Sequence, residues 1–135
     1  MDKGAEEPRQ LAGRIRELVL QDGQAGRQVL DMVEDAVRLH PDSAELWCLR
    51  GDVILLADED EGYSVDEAAT SYLEANRLAP DDPEPLESLG HFYDAVMDDP
   101  REAEGFFRRA LELGAGDSAR EGLAEALEQL EGERD

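Results

Sequence analysis

The sequence predicts an all-α fold. Apolar residues recur at the spacing of one helix face in successive stretches, and proline or glycine separates these stretches. Serine or aspartate precedes most of them, where a side-chain oxygen can pair with the free N–H groups of a helix start. No stretch shows a convincing alternation of apolar and polar residues, which is the pattern of a strand. We therefore expect seven helices joined by short turns.

The first two predicted helices lie before Pro41. Pro8 suits the first turn of a helix, because the N–H that proline lacks would have no partner there. Asp22 and Gly23 end this helix, and a second apolar stripe follows and stops before Pro41. The first stripe consists of Leu11, Ile15, Leu18 and Val19, and the second of Val29, Leu30, Val33, Ala36 and Val37.

The third and fourth predicted helices begin at capping residues. Asp42 and Glu45 form a capping pair for the third helix. Ser64 and Glu67 form a clearer capping box for the fourth helix, which runs to about Leu78. Both assignments rest on an oxygen acceptor placed three residues before a glutamate, so that each side chain can pair with the other residue's backbone N–H.

The last three predicted helices also begin at such residues. Asp82 before Pro83 opens the fifth helix, and Asp99 before Pro100 opens the sixth. Ser118 opens the seventh through a further capping box. The sixth helix is closed by Gly114 and Gly116, and the seventh has an apolar face made of Leu123, Ala126, Leu127 and Leu130.

The helices repeat a common pattern of residues. The second, fourth and sixth helices align on matched small and apolar positions, and the third and fifth align on a glycine between apolar positions. The aligned strings are Val29-x3-Val33-x2-Ala36-x4-Pro41, Ala68-x3-Tyr72-x2-Ala75-x4-Pro80, Ala103-x3-Phe107-x2-Ala110, Trp47-x2-Arg50-Gly51-x2-Ile54 and Leu86-x2-Leu89-Gly90-x2-Tyr93. Their consistent order predicts repeated helical hairpins and not an irregular bundle.

These strings resemble the tetratricopeptide repeat, whose pattern is Trp-x2-Leu-Gly-x2-Tyr followed by Ala, Phe, Ala and Pro. The resemblance implies a right-handed α-solenoid of about three helix-turn-helix repeats. Gly51 and Gly90 would let the paired helices approach closely, with Ala68 and Ala103 facing them. The sequence departs from the family pattern at Arg50, which stands where the family has leucine, and in an insertion between Gly51 and Ala68.

The resemblance covers roughly residues 10–116, and its first repeat lacks the Leu-Gly signature. The last predicted helix would cover the apolar end of the array and turn its glutamates to solvent. The predicted segments are a flexible N-terminus at 1–8, repeats at about 9–41, 42–82 and 83–116, a capping helix at 117–131 and a flexible acidic tail at 132–135.

The chain is strongly acidic, with 35 Asp and Glu residues against 13 Lys and Arg residues and a formal net charge of −22. Nucleic acids and membrane surfaces are therefore not expected partners, because both attract Lys and Arg. The excess lies in residues 51–135, which carry 25 acids and six bases. Two interpretations stay open, a solvated surface that maintains solubility and a face that binds a basic partner.

The sequence contains few residues in catalytic or metal-binding patterns. A single cysteine forms no internal disulfide and no cysteine zinc site, and no serine-nucleophile or phosphate-loop motif is present. The acidic insertion fails as a calcium loop, because placing Gly62 sixth puts Ala57 first and Ala68 twelfth, where acidic ligands are required. We expect no enzymatic activity, no cofactor and no metal.

The sequence also predicts a cytoplasmic location. Its longest uncharged apolar run, Val53 to Ala57, is too short to span a bilayer. No basic start followed by an apolar stretch and a small-residue cleavage site is found, so no secretory signal is expected.

The resemblance implies that the first helix of each repeat lines a concave groove in which ligands lie. The groove-facing positions would be Leu11, Arg14, Leu18 and Gln21 in the first repeat, Glu45, Cys48, Asp52 and Leu55 in the second, and Glu84, Glu87, His91 and Asp94 in the third. One end of the groove would then be apolar with an arginine, and the other would present five carboxylates. A branch of the family grips acidic chaperone tails with Lys and Asn at such positions, and that clamp is not expected here.

The expected function is that of a small non-catalytic adaptor that binds a protein or peptide in this groove, with a basic segment as the partner that the acids favour. One alternative is a secretion-type chaperone that holds an extended, partly apolar segment, for which Leu11, Leu18 and Leu55 would matter more than the acids. Another is a structural oligomerisation module. We expect a monomer, with a dimer as the alternative.

Overall fold

The computed structural model describes residues 6–23 and 25–134 and confirms the all-α fold. The helices are α1 (Pro8–Asp22), α2 (Arg27–Leu39), α3 (Ala44–Leu56), α4 (Val65–Leu78), α5 (Pro83–His91), α6 (Pro100–Glu112) and α7 (Asp117–Arg134). A short 3-10 turn at Glu59–Glu61 lies between α3 and α4, and a π-helical turn at Phe92–Val96 extends α5. Within the described ranges, the only β pairing is an isolated bridge between Ala25 and Ala57.

Most helix ends follow the predicted chemistry. Pro8 is the first residue of α1, and Gly23 ends that helix with φ 72°, a left-handed conformation that glycine adopts without strain. Asp82 Oδ1 accepts a hydrogen bond from the backbone N of Glu84 at 3.0 Å. Asp99 Oδ1 accepts one from the backbone N of Glu102 at 3.2 Å.

Three predicted helix starts need correction or qualification. Ser43, and not Asp42, caps α3, because its Oγ accepts from the backbone N of Leu46 at 3.2 Å. Helix α7 begins at Asp117, so Ser118 lies inside its first turn. At α4, the Ser64 backbone N donates to Glu67 Oε2 at 3.0 Å, which is the glutamate half of the predicted box.

The helices form two compact units, one ending at Leu78 and the other beginning at Ala79. In the first unit, α1, α2 and α3 pack around a core of aliphatic side chains, and α4 packs against α3. In the second, α5 and α7 both contact α6, whose Phe107 is fully buried. The core of the first unit includes Ala12, Ile15, Leu30, Val33, Ala36, Leu46 and Val53, and that of the second includes Ala103, Phe107, Ala119 and Ala126.

The two motif glycines lie against aromatic rings. A Cβ added at Gly51 would be 2.6 Å from Cε1 of Tyr72, and one added at Gly90 would be 2.6 Å from Cδ1 of Phe107. Close helix approach at both glycines is thus confirmed. The nearest atoms belong to these rings, however, and not to the alanines expected to face the glycines.

Arg50 is held in a polar network inside the first unit. Its Nε and Nη2 donate to the two carboxylate oxygens of Glu34 on α2, at 2.7 and 3.1 Å, and its Nη1 donates to Ser71 Oγ on α4 at 2.7 Å. Tyr63 donates its hydroxyl to the same Glu34 at 2.6 Å. The arginine that replaces the family's leucine therefore connects three helices with the segment preceding α4.

The acidic insertion lies against α2. Arg27 donates from Nη1 to the backbone oxygen of Glu61 at 3.3 Å and lies over the ring of Tyr63. Gly62 follows with φ 89°, a left-handed turn that suits glycine. The side chains of Asp58, Glu59 and Asp60 are exposed, as expected for a solvated turn.

Candidate functional site

A cavity of about 250 Å3 opens between α1 and α3 in the first unit. Two of its lining leucines are exposed to solvent, Leu20 by 82% and Leu56 by 44%. Large apolar side chains left in water favour contact with another apolar group. The complete lining is Arg16, Val19, Leu20, Leu49, Asp52, Val53 and Leu56.

Two charged residues stand at this cavity, and each has a partner. Arg16 Nη1 donates to Glu45 Oε2 at 3.0 Å. Tyr72 donates its hydroxyl to Asp52 Oδ1 at 2.6 Å. The cavity therefore combines apolar side chains with one positive and one negative group.

The surroundings of Asp52 shift its titration. Asp52 is exposed overall, but its carboxylate is shielded from water on the side where it accepts the hydrogen bond from Tyr72. Loss of water there raises the pKa of Asp52, while the Tyr72 hydroxyl and the charge of Arg16 act in the opposite direction. The pKa of Tyr72 is raised by burial and next by the nearby Asp52 charge.

The structure separates the predicted residues of the first helix from this cavity. Arg14 pairs with Glu6, Leu11 and Leu18 pack against the core, and Gln21 is exposed. The residues of α1 that do line the cavity are Arg16, Val19 and Leu20.

On α3, the predicted residues have different surroundings. Asp52 lines the cavity, and Glu45 pairs with its Arg16. Cys48 is buried, and Leu55 is half-buried. Sequence reasoning missed Arg16, Leu20 and Leu56, although Leu20 was detectable as an apolar residue outside the core stripe of its own helix.

In the second unit, the predicted residues lie on and just beyond α5. His91 Nε2 is 3.0 Å from Ser118 Oγ, and its ring meets Phe107 edge-on with centroids 4.9 Å apart. The Glu87 carboxylate lies 4.0 Å from the same His91 nitrogen. Asp94 accepts from Gln129 Nε2 at 3.1 Å. Glu84 is exposed in the first turn of α5.

The fold has counterparts among solved structures. The TPR domain of Sgt2 from Aspergillus fumigatus matches 97% of this chain and 84% of its own with a TM-score of 0.79 and 16% sequence identity. PilW, a type IV pilus biogenesis factor, matches 90% of this chain and 54% of its own with a TM-score of 0.74 and 20% identity. This chain has a tetratricopeptide-repeat fold. No protein-family model matches the sequence, and a search of curated proteins found no match.

In the tetratricopeptide-repeat fold, the hairpins α1–α2, α3–α4 and α5–α6 correspond to repeats, and the cavity lies between the first helices of two successive repeats. The prediction that the acids of α3 and α5 share one concave groove stays a prediction. Among the described residues, no group of three His, Cys, Asp or Glu side chains is arranged to hold a metal ion. None of the described helices is long and apolar enough to cross a membrane.

Proposed function

We propose that this tetratricopeptide-repeat protein is a cytoplasmic, non-catalytic adaptor that binds a peptide segment of a partner protein between α1 and α3. The observation that carries the proposal is the cavity flanked by the exposed Leu20 and Leu56. An apolar side chain of the partner enters it and covers these leucines, which releases water from apolar surface on both molecules. No cofactor and no catalytic step are assigned.

Charge favours basic residues on either side of that apolar side chain. The protein carries a net charge of −22, and this long-range field favours the approach of a basic segment, most strongly at low ionic strength. Asp52 provides a carboxylate at the cavity itself. The partner segment is thus apolar at its centre and basic at its flanks.

A second candidate is a chaperone-like role in which the apolar contact alone matters. The 82% exposure of Leu20 favours this candidate, because burial of so large an apolar surface is favourable without any charged partner. The two candidates differ in salt dependence. Binding of a basic segment weakens with added salt, since screening reduces attraction between exposed charges, whereas apolar holding does not weaken.

The test is calorimetric titration of the full chain with a synthetic peptide in which two leucines are flanked by lysines. Leu56→Ser should weaken binding about ten-fold, because a buried leucine contributes about 1.5–3 kcal/mol. Leu73→Ser is the matched control, since Leu73 on α4 is exposed to a similar extent, 46%, and lies outside the cavity lining.

Two altered peptides separate the candidates. Replacing the peptide leucines with serine should abolish binding in both cases. Replacing its lysines with glutamine should weaken binding only if the adaptor proposal holds, and unchanged affinity would favour the chaperone-like role. Equal losses for Leu56→Ser and Leu73→Ser would reject this cavity as the site.

Light scattering on the free protein measures its mass in solution, and a dimer that covers the cavity would favour the oligomerisation alternative.

A further inference from the structure

A second cavity, of about 190 Å3, lies on the exposed side of α6 in the second unit. Its lining residues follow one another at helical spacing, so they share one stripe of a single helix. Gly105 lies at the middle of the stripe, and a Cβ added there would meet no atom within 4 Å. The lining is Arg101, Glu102, Gly105, Phe106 and Arg109. The glycine thus leaves an open space between two arginines.

Arg101 and Arg109 differ from neighbouring arginines in their ion pairing. Arg108 pairs with Glu104 at 2.9 Å, and Arg120 pairs with Asp117. Within the described ranges, by contrast, no carboxylate oxygen lies within ion-pair distance of Arg101 or Arg109. In a chain with 35 acidic residues, two arginines that line one cavity and have no carboxylate partner among the described residues are available to an external carboxylate.

Aromatic packing supports one of these arginines. The guanidinium carbon of Arg109 lies 5.8 Å from the centroid of the Phe106 ring. That ring in turn stacks on Tyr93, with centroids 5.5 Å apart and planes 6° from parallel. A guanidinium that rests on a packed ring loses less conformational freedom when it binds a ligand.

We propose that this cavity binds a carboxylate side chain of an acidic peptide segment, placed over Gly105 between Arg101 and Arg109. A guanidinium presents parallel N–H donors that match the two oxygens of a carboxylate. Glu102 is the single acid in the lining, so the lining carries one net positive charge. At physiological salt the Debye length is about 8 Å, so the protein's more distant acids are largely screened from the ligand.

This site is independent of the one between α1 and α3, because it lies in the other unit and prefers the opposite charge. The protein would then engage two kinds of segment, a basic apolar one and an acidic one. Each can be tested without the other.

The experiment is a calorimetric and NMR titration of the full chain with hexaglutamate at physiological salt. Arg101→Gln combined with Arg109→Gln should weaken binding about ten-fold or more, because hydrogen bonds between charged groups are lost. Arg108→Gln is the matched control, since it removes one charge from the same helix outside the cavity lining, and it should change the affinity less than about two-fold.

Gly105→Leu provides a second variant that keeps both arginines. It fills the open space, and it should not impair folding, because its Cβ meets nothing and leucine favours helices more than glycine does. Binding of hexaglutamate should fall below detection, while the circular dichroism spectrum is retained.

Four results would overturn the proposal. They are no binding of hexaglutamate at millimolar concentration, equal binding of hexaglutamine, equal losses for the arginine pair and for Arg108→Gln, and equally tight, arginine-dependent binding of inorganic phosphate, which would indicate a general anion site. Leu56→Ser should leave hexaglutamate binding unchanged, and a loss in that variant would contradict the independence of the two sites.

Discussion

The hairpins α3–α4 and α5–α6 use the same glycine and the same aromatic position but surround them with different chemistry. In α3–α4, Gly51 faces Tyr72, whose hydroxyl donates to Asp52. In α5–α6, Gly90 faces Phe107, whose ring meets the edge of His91. His91 follows its glycine as Asp52 follows Gly51, so one pair of positions carries a hydrogen bond in one hairpin and an aromatic contact in the other.

The residues that precede the two glycines also differ, with a polar one in α3–α4 and an apolar one in α5–α6. Arg50 reaches Glu34 and Ser71 through hydrogen bonds, whereas Leu89 is fully buried in the second unit. A repeat interior can therefore be closed by a polar network or by apolar packing, provided that the glycine and the ring keep their places. Substitutions at the shared glycine and ring should therefore lower the stability most, and substitutions at the surrounding residues that differ between the hairpins should lower it less.

The largest effect is expected at the shared glycines. Gly90→Leu places atoms where the Phe107 ring lies, and overpacking of this kind costs about 1–3 kcal/mol of unfolding free energy. Gly51→Leu should cost less. The Phe107 ring is also confined by Gly122, whose added Cβ would lie 2.4 Å from it, whereas Gly51 is the one glycine among the described residues that lies against Tyr72. Urea denaturation measures both values.

Gly132→Leu is the control for this comparison. A Cβ at Gly132 meets no atom within 4 Å, so the change should be neutral or slightly stabilising in helix α7. Similar small effects at all three glycines would contradict the importance of the close contacts.

The second effect concerns the Arg50 network. Glu34→Ala should cost about 1–2 kcal/mol, because it leaves a guanidinium only 12% exposed without its bidentate partner. Arg50→Leu restores the residue of the family pattern and, combined with Glu34→Ala, should recover much of this loss. A double-mutant cycle by urea denaturation gives the coupling, and purely additive effects would show that the two residues act independently.

These two comparisons show which features were readable from the sequence. The glycine and aromatic positions recur in the same order within the same short strings, so they predicted the hairpins and the close approach. The Arg50 network was not predictable, because Glu34, Tyr63 and Ser71 are distant in sequence and meet only after folding. Arg50 as a departure from the family pattern was the one signal available.

The candidate site was predicted less well than the fold. Asp52 is both a predicted groove position and a residue of the cavity lining, because its helix follows the family spacing from Glu45 onward. On α1, which lacks the Leu-Gly signature, the apolar stripe indicates which face meets the core but no motif marks the positions beside the next repeat. The cavity is lined by Arg16 and Leu20, and the groove positions predicted for Arg14 and Leu18 stay a prediction.

The third effect is a pH dependence of opposite sign at two carboxylates. Hydrogen bonding to Arg50 lowers the pKa of Glu34 in the folded state. Glu34 therefore stabilises the folded state at pH values above its unfolded pKa, and this stabilisation is lost as the pH falls through the lowered, folded-state pKa. Burial raises the pKa of Asp52. Its contribution to the stability of the folded state is therefore present at low pH and is lost as the pH rises through the raised pKa.

Melting temperatures between about pH 3 and pH 7 should separate the two carboxylates. Relative to the unaltered protein, Asp52→Asn should become more stable as the pH rises, and Glu34→Gln should become less stable. Asp31→Asn is a control, because Asp31 is exposed and its ion pair at 3.2 Å is with an exposed arginine. Parallel curves for all three variants would contradict the assigned shifts.

The smallest effect is expected at His91, the aromatic counterpart of Asp52. His91→Ala removes an edge-on contact with the ring of Phe107, and such contacts contribute about 0.5–1.5 kcal/mol. The value should lie at the lower end, because the His91 side chain is 45% exposed. Ser118→Ala removes the hydroxyl that lies 3.0 Å from His91 Nε2 while keeping the ring contact. If the ring contact is what stabilises this hairpin, urea denaturation will show a larger loss for His91→Ala than for Ser118→Ala, and equal losses would assign the effect to the hydrogen bond, making the two hairpins alike in chemistry.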